Sequence, residues 1–222
     1  MAGDSLSVIG TKLGIDWHRI AAANGLEHPF PIFVGQVLKV PGAVVLARTI
    51  DILNPIDADE DAVATSSSNQ AHHRPYGGDV SCDIALPGSG TNPGKPARFF
   101  VNAPPGVRVQ GVVFSVGPAC RSGSVDDGGN AVKVMLQHAI GGGQFQDTGA
   151  WVLYAHLDPV LVSVDQVLAP EALIGNLGAP HGREYSSSCA EGSHIHVEAT
   201  NGSFVVDEKA SFRRSTVVRI GF

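Results

Sequence analysis

The apolar positions change period along the chain. In DSLSVIGTKLG they fall at Leu6, Ile9 and Leu13, close to the spacing of one helical face, with Asp4 or Ser5 placed as N-cap and Gly14 placed to end the helix. A second short helix is predicted over WHRIAAAN, capped by Asp16 and stopped by Asn24-Gly25. HPFPIFVGQ then turns into a short strand, Val37 to Val40, closed by Pro41-Gly42. Beyond residue 70 the pattern is different. VSCDIAL, ARFFVNA, VRVQGVVFSV, AVKVMLQHA, AWVLYAHL, ALIGNLG, HIHVEAT and SFVV alternate or are Val-rich, and Gly, Pro or Asp-Gly separates them. That pattern predicts a mainly β domain built as an antiparallel sheet. Between the two regions, VVLARTIDIL can supply one strand, whereas DADEDAVATSSSNQ is acidic, Ser-rich and poor in groups that bury, and reads as flexible. The expected organisation is a small α+β module over 1–42, a connector over 43–70 and a β domain over 71–222.

Composition agrees with the β reading: 27 glycines and 14 prolines in 222 residues favour many turns over a helical bundle. The net charge of −6, with the 15 Lys and Arg scattered, argues against a nucleic-acid partner, which calls for a basic stripe. No apolar run approaches the roughly 18 residues that span a bilayer. MAGDSLSV has no basic region followed by an apolar core, so no signal peptide is visible. Three cysteines, Cys82, Cys120 and Cys189, leave at least one thiol unpaired within the chain.

Two stretches carry candidate chemistry. In SHIHVEAT, strand alternation points His194 and His196 one way and Ile195 and Val197 the other. Imidazole is a common zinc ligand, at about 2.0–2.1 Å, although a lone H-x-H is more often a surface pair. In GGDVSCD, Asp79 and Asp83 share a face if the segment is a strand, and Val80, Cys82 and Ile84 share the buried one. Two carboxylates side by side repel, and a divalent cation between them removes that cost. Taken alone, they read as two exposed loop acids. A further histidine, His156, ends the buried-looking strand AWVLYAHL.

GDSLSVIGTKLGIDWHRIAAANGL followed by VGQVLKVP resembles a LysM module, a family that binds N-acetylglucosamine-containing glycans such as peptidoglycan or chitin. The family's first strand precedes G-D-S-L. Here Met1-Ala2 stands there, so that strand is expected to be missing or reduced to two residues. The second region resembles an M23-type, lysostaphin-like peptidoglycan metalloendopeptidase in four motifs in the family's order. These are D-I-A-L-P with Asp83, Y-A-H-L with His156, a V-x-V-x-Q-x-L hairpin ending in I-G, and H-x-H-x-E with His194 and His196.

The resemblance implies that Asp83 and His196 bind one Zn2+ and that His156 and His194 flank the site as catalytic residues, orienting or deprotonating the attacking water and stabilising the oxyanion. Where the family's usual H-x-x-x-D has its first ligand, this chain has Asp79, as in a G-G-D-x-x-x-D variant branch. Asp79 is the expected third ligand; in the rival set His73 binds with Asp79 as the carboxylate ligand, and Asp83 stands behind them. Two Asp and one His would leave a dication's site net neutral, which acidifies water less and admits other oxygen-seeking ions. Cys120 and Cys189 resemble positions that pair in secreted members. Glu198 is placed either to hold a ring N–H of His196 or in solvent, Tyr154 either lines the groove or packs in the sheet, and His181 borders the site. Asp165, standing where a glycine is usual, reads as a turn residue.

The expected function is a cell-wall hydrolase cutting peptidoglycan peptide bonds, held on glycan by the first module. It would act as a monomer outside the cell, at the wall or on a phage or injection particle. The rival expectation is an M23-like scaffold without activity.

Overall fold

Two short helices open the chain, α1 (Leu6–Leu13) and α2 (Trp17–Ala23), in a computed structural model that describes residues 5–13, 15–41, 49–59, 61–68, 76–87, 93–104, 106–120, 128–178, 193–205, 211–212 and 215–222. Ser5 Oγ accepts the Val8 N–H at 3.3 Å, and Asp16 Oδ1 accepts that of His18 at 3.0 Å, so the two serve as N-caps. Asp4 and Gly14 lie outside the described residues. After Asn24 the chain leaves α2 through Gly25 at φ 61, a conformation glycine takes without steric cost. Leu6, Ile20 and Ala21 form a small core on which Ile9, Trp17, Leu38 and Val40 pack.

The strand predicted over Val37–Val40 is extended chain without a ladder, because the described residues bring no partner strand to it. The Asn24 side chain takes that place. Its Oδ1 accepts the Lys39 N–H at 2.7 Å, and its Nδ2 donates to the Lys39 carbonyl at 2.6 Å and to the Ile20 carbonyl at 2.7 Å. Asn24→Ala is therefore expected to destabilise this module by about 1–2 kcal/mol. The measurement is amide hydrogen exchange, which should quicken in α2 and at Lys39 while the β-sheet amides stay unchanged.

By its contacts the chain divides into Met1–Leu46 with Ala139–Gln146, and Ala47–His138 with Asp147–Phe222. After the helices the described elements are strands: β1 (Thr49–Leu53), β2 (Ala62–Ser68), β3 (Val80–Ala85), β4 (Pro96–Phe99), β5 (Val101–Asn102), β6 (Val109–Pro118), β7 (Asn130–Gly141), β8 (Gln144–Val160), β9 (Val167–Leu168), β10 (Ala172–Leu177), β11 (Ile195–Ala199), β12 (Gly202–Phe204), β13 (Ser211–Phe212) and β14 (Thr216–Gly221). The larger sheet runs β13-β2-β3-β11-β8-β7-β6-β9, with β10 pairing both β8 and β4, and the smaller runs β12-β14-β1-β5. The chain is thus mainly antiparallel β with a small helical start, as its periodicity predicts. Gly142 and Gly143, both at positive φ, make the two-residue turn between β7 and β8. Asp165 holds a turn at φ 69, where Asp is among the few side-chain-bearing residues tolerated.

One expectation is corrected. The stretch read as flexible contains β2, which pairs with β3 from Val63↔Ala85 to Ser68↔Ser81 and slips register between Ala64 and Ser66. An unpaired edge of β3 would leave its backbone groups without partners. Small residues suffice there, because Ala62 and Ala64 bury fully.

Alternation sorts the faces. Val80, Cys82 and Ile84 of β3, Val152 and Tyr154 of β8, and Ile195 and Val197 of β11 enter the main core. The opposite face of the same strands carries Leu153 and Ala155, with Tyr76 and Trp151 packed beside them. Asp83, His194, His196 and Glu198 have the parity of this second face.

Candidate functional site

Asp83 on β3 and His196 on β11 are directly paired across the ladder, and Asp83 Oδ1 lies 2.7 Å from His196 Nδ1. His194, two residues earlier and so on the same face, puts its Nε2 3.7 Å from the same oxygen.

His156 reaches this face by a change of backbone. Plain alternation would send it into the core with Val152 and Tyr154. Instead it adopts φ 66, a left-handed conformation that costs a non-glycine residue energy and is uncommon away from functional sites. β8 pairs with β11 as far as Ala155 and with β10 from Leu157 onward, so the change of partner falls on His156. Leu157 takes the core place, and the imidazole turns to the other face. Its ring centre lies 4.5 Å from that of His194 and 6.2 Å from that of His196. His156 Nδ1 is 2.8 Å from the Gly128 carbonyl oxygen. A carbonyl only accepts, so Nδ1 carries the proton and Nε2 keeps its lone pair.

Glu198 has no exposed surface. Its Oε1 accepts the Gly78 N–H, its Oε2 accepts the Tyr76 N–H at 3.3 Å, and Oε2 stands 3.5 Å from His196 Nε2. Lys133 Nζ donates to the Tyr76 carbonyl at 3.1 Å and sits 4.4 Å above the Trp151 ring. The Tyr76–Gly78 segment is thereby held from both sides. Sequence reading left Glu198 between two roles and passed over Tyr76 and Lys133. The sequence carries no local signal for this contact, because Gly78 and Glu198 lie 120 residues apart. Tyr154 is a core residue and lines no groove.

Charges follow from these contacts. Burial opposes a proton on His196, but the hydrogen bond to Asp83 and the Glu198 carboxylate hold its pKa up at about 9. Burial raises Asp83, and its bond to His196 with the neighbouring His194 charge outweighs that and keeps it below the usual carboxylate range. Burial, then repulsion from His194, pushes His156 down to about 3. Burial and the Glu198 charge push the Tyr76 phenol up to about 12, so it stays a donor.

The two histidines give the metal-free protein opposite slopes. His156 holds its proton less tightly folded than unfolded, so stability falls as pH drops from 6.5 toward about 3. Asp83 adds to the acid loss. The stabilisation from His196 is present below 6.5 and is lost as pH rises through about 9. With a chelator present, the unfolding free energy of the second unit, read from its urea midpoint, should peak near pH 6.5 and decline on both sides, by a few kcal/mol at the extremes. A midpoint flat between pH 5 and 9 is the contrary result.

The structure brings Asp83, His156, His194 and His196 together and turns Asp79 elsewhere. Asp79 precedes β3, and its Oδ2 accepts the Asn201 N–H at 2.6 Å. Four residues of extended chain, roughly 13 Å, separate it from Asp83. Among the described residues, no three His, Cys, Asp or Glu side chains are arranged to hold a metal ion. His73 and His181 lie outside the described residues. Cys82 is a buried thiol on the core face, Cys120 is disulfide-bonded, and Cys189 lies outside the described residues. No described helix is long and apolar enough to cross a membrane.

Several solved structures share local similarity. A Pseudomonas aeruginosa protein classed with peptidase M23 is 21% identical over 70% of this chain and 47% of its own, with a TM-score of 0.38. A zinc-containing peptidase from Vibrio cholerae is 23% identical over 67% and 36%, with a TM-score of 0.39. The deep-sea M23 metalloprotease pseudoalterin is 13% identical over 75% and 95%, with a TM-score of 0.42. The chain thus spans less than half the length of the first two. No curated protein matches it. At the N-terminus, residues 2–41 match the LysM domain family.

Proposed function

We propose that the second unit hydrolyses peptide bonds of peptidoglycan with a divalent cation, zinc, as cofactor, and that the N-terminal module binds the glycan bearing those peptides. The carrying observation is the convergence of Asp83, His156, His194 and His196 from three strands, with the first and last 113 residues apart in sequence. Such a protein works outside the cell, at the wall or on a particle that meets it.

The donors fit a metal in part. A carboxylate oxygen and an imidazole nitrogen 2.7 Å apart, on a ring whose other nitrogen is buried without a hydrogen bond, suit a borderline cation. Asp83 and His196 would hold it. Asp79 remains the proposed third ligand, which requires it to leave the Asn201 N–H and the chain ahead of β3 to bend toward Asp83. When bound, the cation supplies Lewis-acid chemistry.

The rest falls to the side chains. His156, fixed by the Gly128 carbonyl, offers Nε2 to take a proton from attacking water and return it to the leaving amine nitrogen as the C–N bond breaks. His194, facing it, is placed to donate an N–H to the carbonyl oxygen as charge builds there.

The test is metal analysis of protein purified without added zinc, together with release of soluble muropeptides from purified cell walls. Bound metal with release is expected. A folded protein with neither overturns the reading.

A further inference from the structure

We propose that Glu198 is a positioning residue: it holds the His196 ring with its Nε2–H facing the Glu198 carboxylate and Nδ1 turned to Asp83, and ties that orientation to the Tyr76–Gly78 segment. The ring orientation stands on geometry alone. Its consequence for metal affinity rests on the function proposed above.

A carboxylate with no exposed surface is costly unless its oxygens are matched. Two matches are backbone N–H groups, of Gly78 and Tyr76. The third neighbour is His196 Nε2, which is buried and has no hydrogen-bond partner. Its 3.5 Å from Oε2 lies just beyond the N–H···O range of about 2.7–3.2 Å. On the opposite edge of the ring, Nδ1 is drawn to Asp83 at 2.7 Å. A cation held by Asp83 and Nδ1 would leave Nε2 and its proton facing Glu198. A carboxylate there sets the tautomer and makes the facing nitrogen a better ligand.

The glycine at position 78 belongs to the same device. A Cβ on Gly78 would stand 2.6 Å from Glu198 Cγ and 2.8 Å from the Ala199 carbonyl. Only a residue without a side chain lets this backbone reach the carboxylate. Lys133, bound to the Tyr76 carbonyl, secures the segment from the other side.

The experiment compares the full chain with Glu198→Gln by zinc competition against a chelator and by ¹⁵N imidazole NMR. Zinc-loaded wild type should show His196 with a protonated, slowly exchanging Nε2 and a metal-shifted Nδ1. Glu198→Gln should bind zinc about 10–100-fold more weakly with the sheet amide spectrum retained. A folded Glu198→Gln that binds zinc within about twofold of wild type overturns the proposal, as does metal on Nε2. Should the variant not fold, the wild-type ring signal decides alone. Should wild type bind no zinc, the metal reading fails, and the metal-free ring still judges Glu198: a protected Nε2–H supports it, and rapid exchange refutes it.

Discussion

His196→Ala is expected to leave less than roughly one part in 10³ of muropeptide release, since losing even a single transition-state donor costs about 10²–10³. The same substitution should reduce bound zinc to the level of a chelated control. The imidazole is the partner of Asp83 at 2.7 Å and the group that faces Glu198. Removing it leaves Asp83 without its closest counter-charge, so the metal-free protein should also lose its decline in stability above pH 6.5, because the group with the raised pKa is gone. That pairing of effects separates the site from a general folding defect. A variant that unfolds outright says nothing of zinc, and His196→Asn, which keeps a polar group near Asp83, serves as the folded control. Retention of both zinc and hydrolysis in a folded variant would sink the assignment.

The site was partly legible in the sequence, and the boundary is physical. Alternation is local, so the faces of His194, His196 and Asp83, and the burial of Val80, Cys82 and Ile84, could be read from strand parity. What alternation could not give was the face of His156. There the backbone turns left-handed where β8 changes partner from β11 to β10, and partner choice is a property of the whole sheet.

The same limit explains Asp79. Its parity matches Asp83, but β3 begins only at Val80, and a turn N–H from Asn201, distant in sequence, engages the carboxylate. The role of Glu198 also depends on contacts with Tyr76 and Gly78, more than a hundred residues away. β2 was invisible for another reason. Serine and alanine carry little burial signal, and what makes them a strand is the exposed edge of β3.

His156→Ala should separate proton transfer from metal binding. The ring touches no proposed ligand atom through a hydrogen bond; its Nδ1 is committed to the Gly128 carbonyl. Zinc content is therefore expected to stay at the wild-type level, while kcat falls by about 10²–10⁴, the usual worth of a positioned general base. The bell-shaped dependence of kcat/KM should lose the limb that His156 governs. Stability should move the other way. A buried histidine whose pKa is depressed to about 3 makes the folded state refuse a proton that the unfolded chain accepts. Deleting it removes that penalty, so the acid decline of the metal-free protein below pH 6.5 should become shallower than in wild type. Alanine keeps the left-handed backbone strained, so His156→Gly should be the more stable of the two variants and equally inactive. Loss of zinc on either substitution would make His156 a ligand, and activity within about tenfold of wild type would remove it from the reaction.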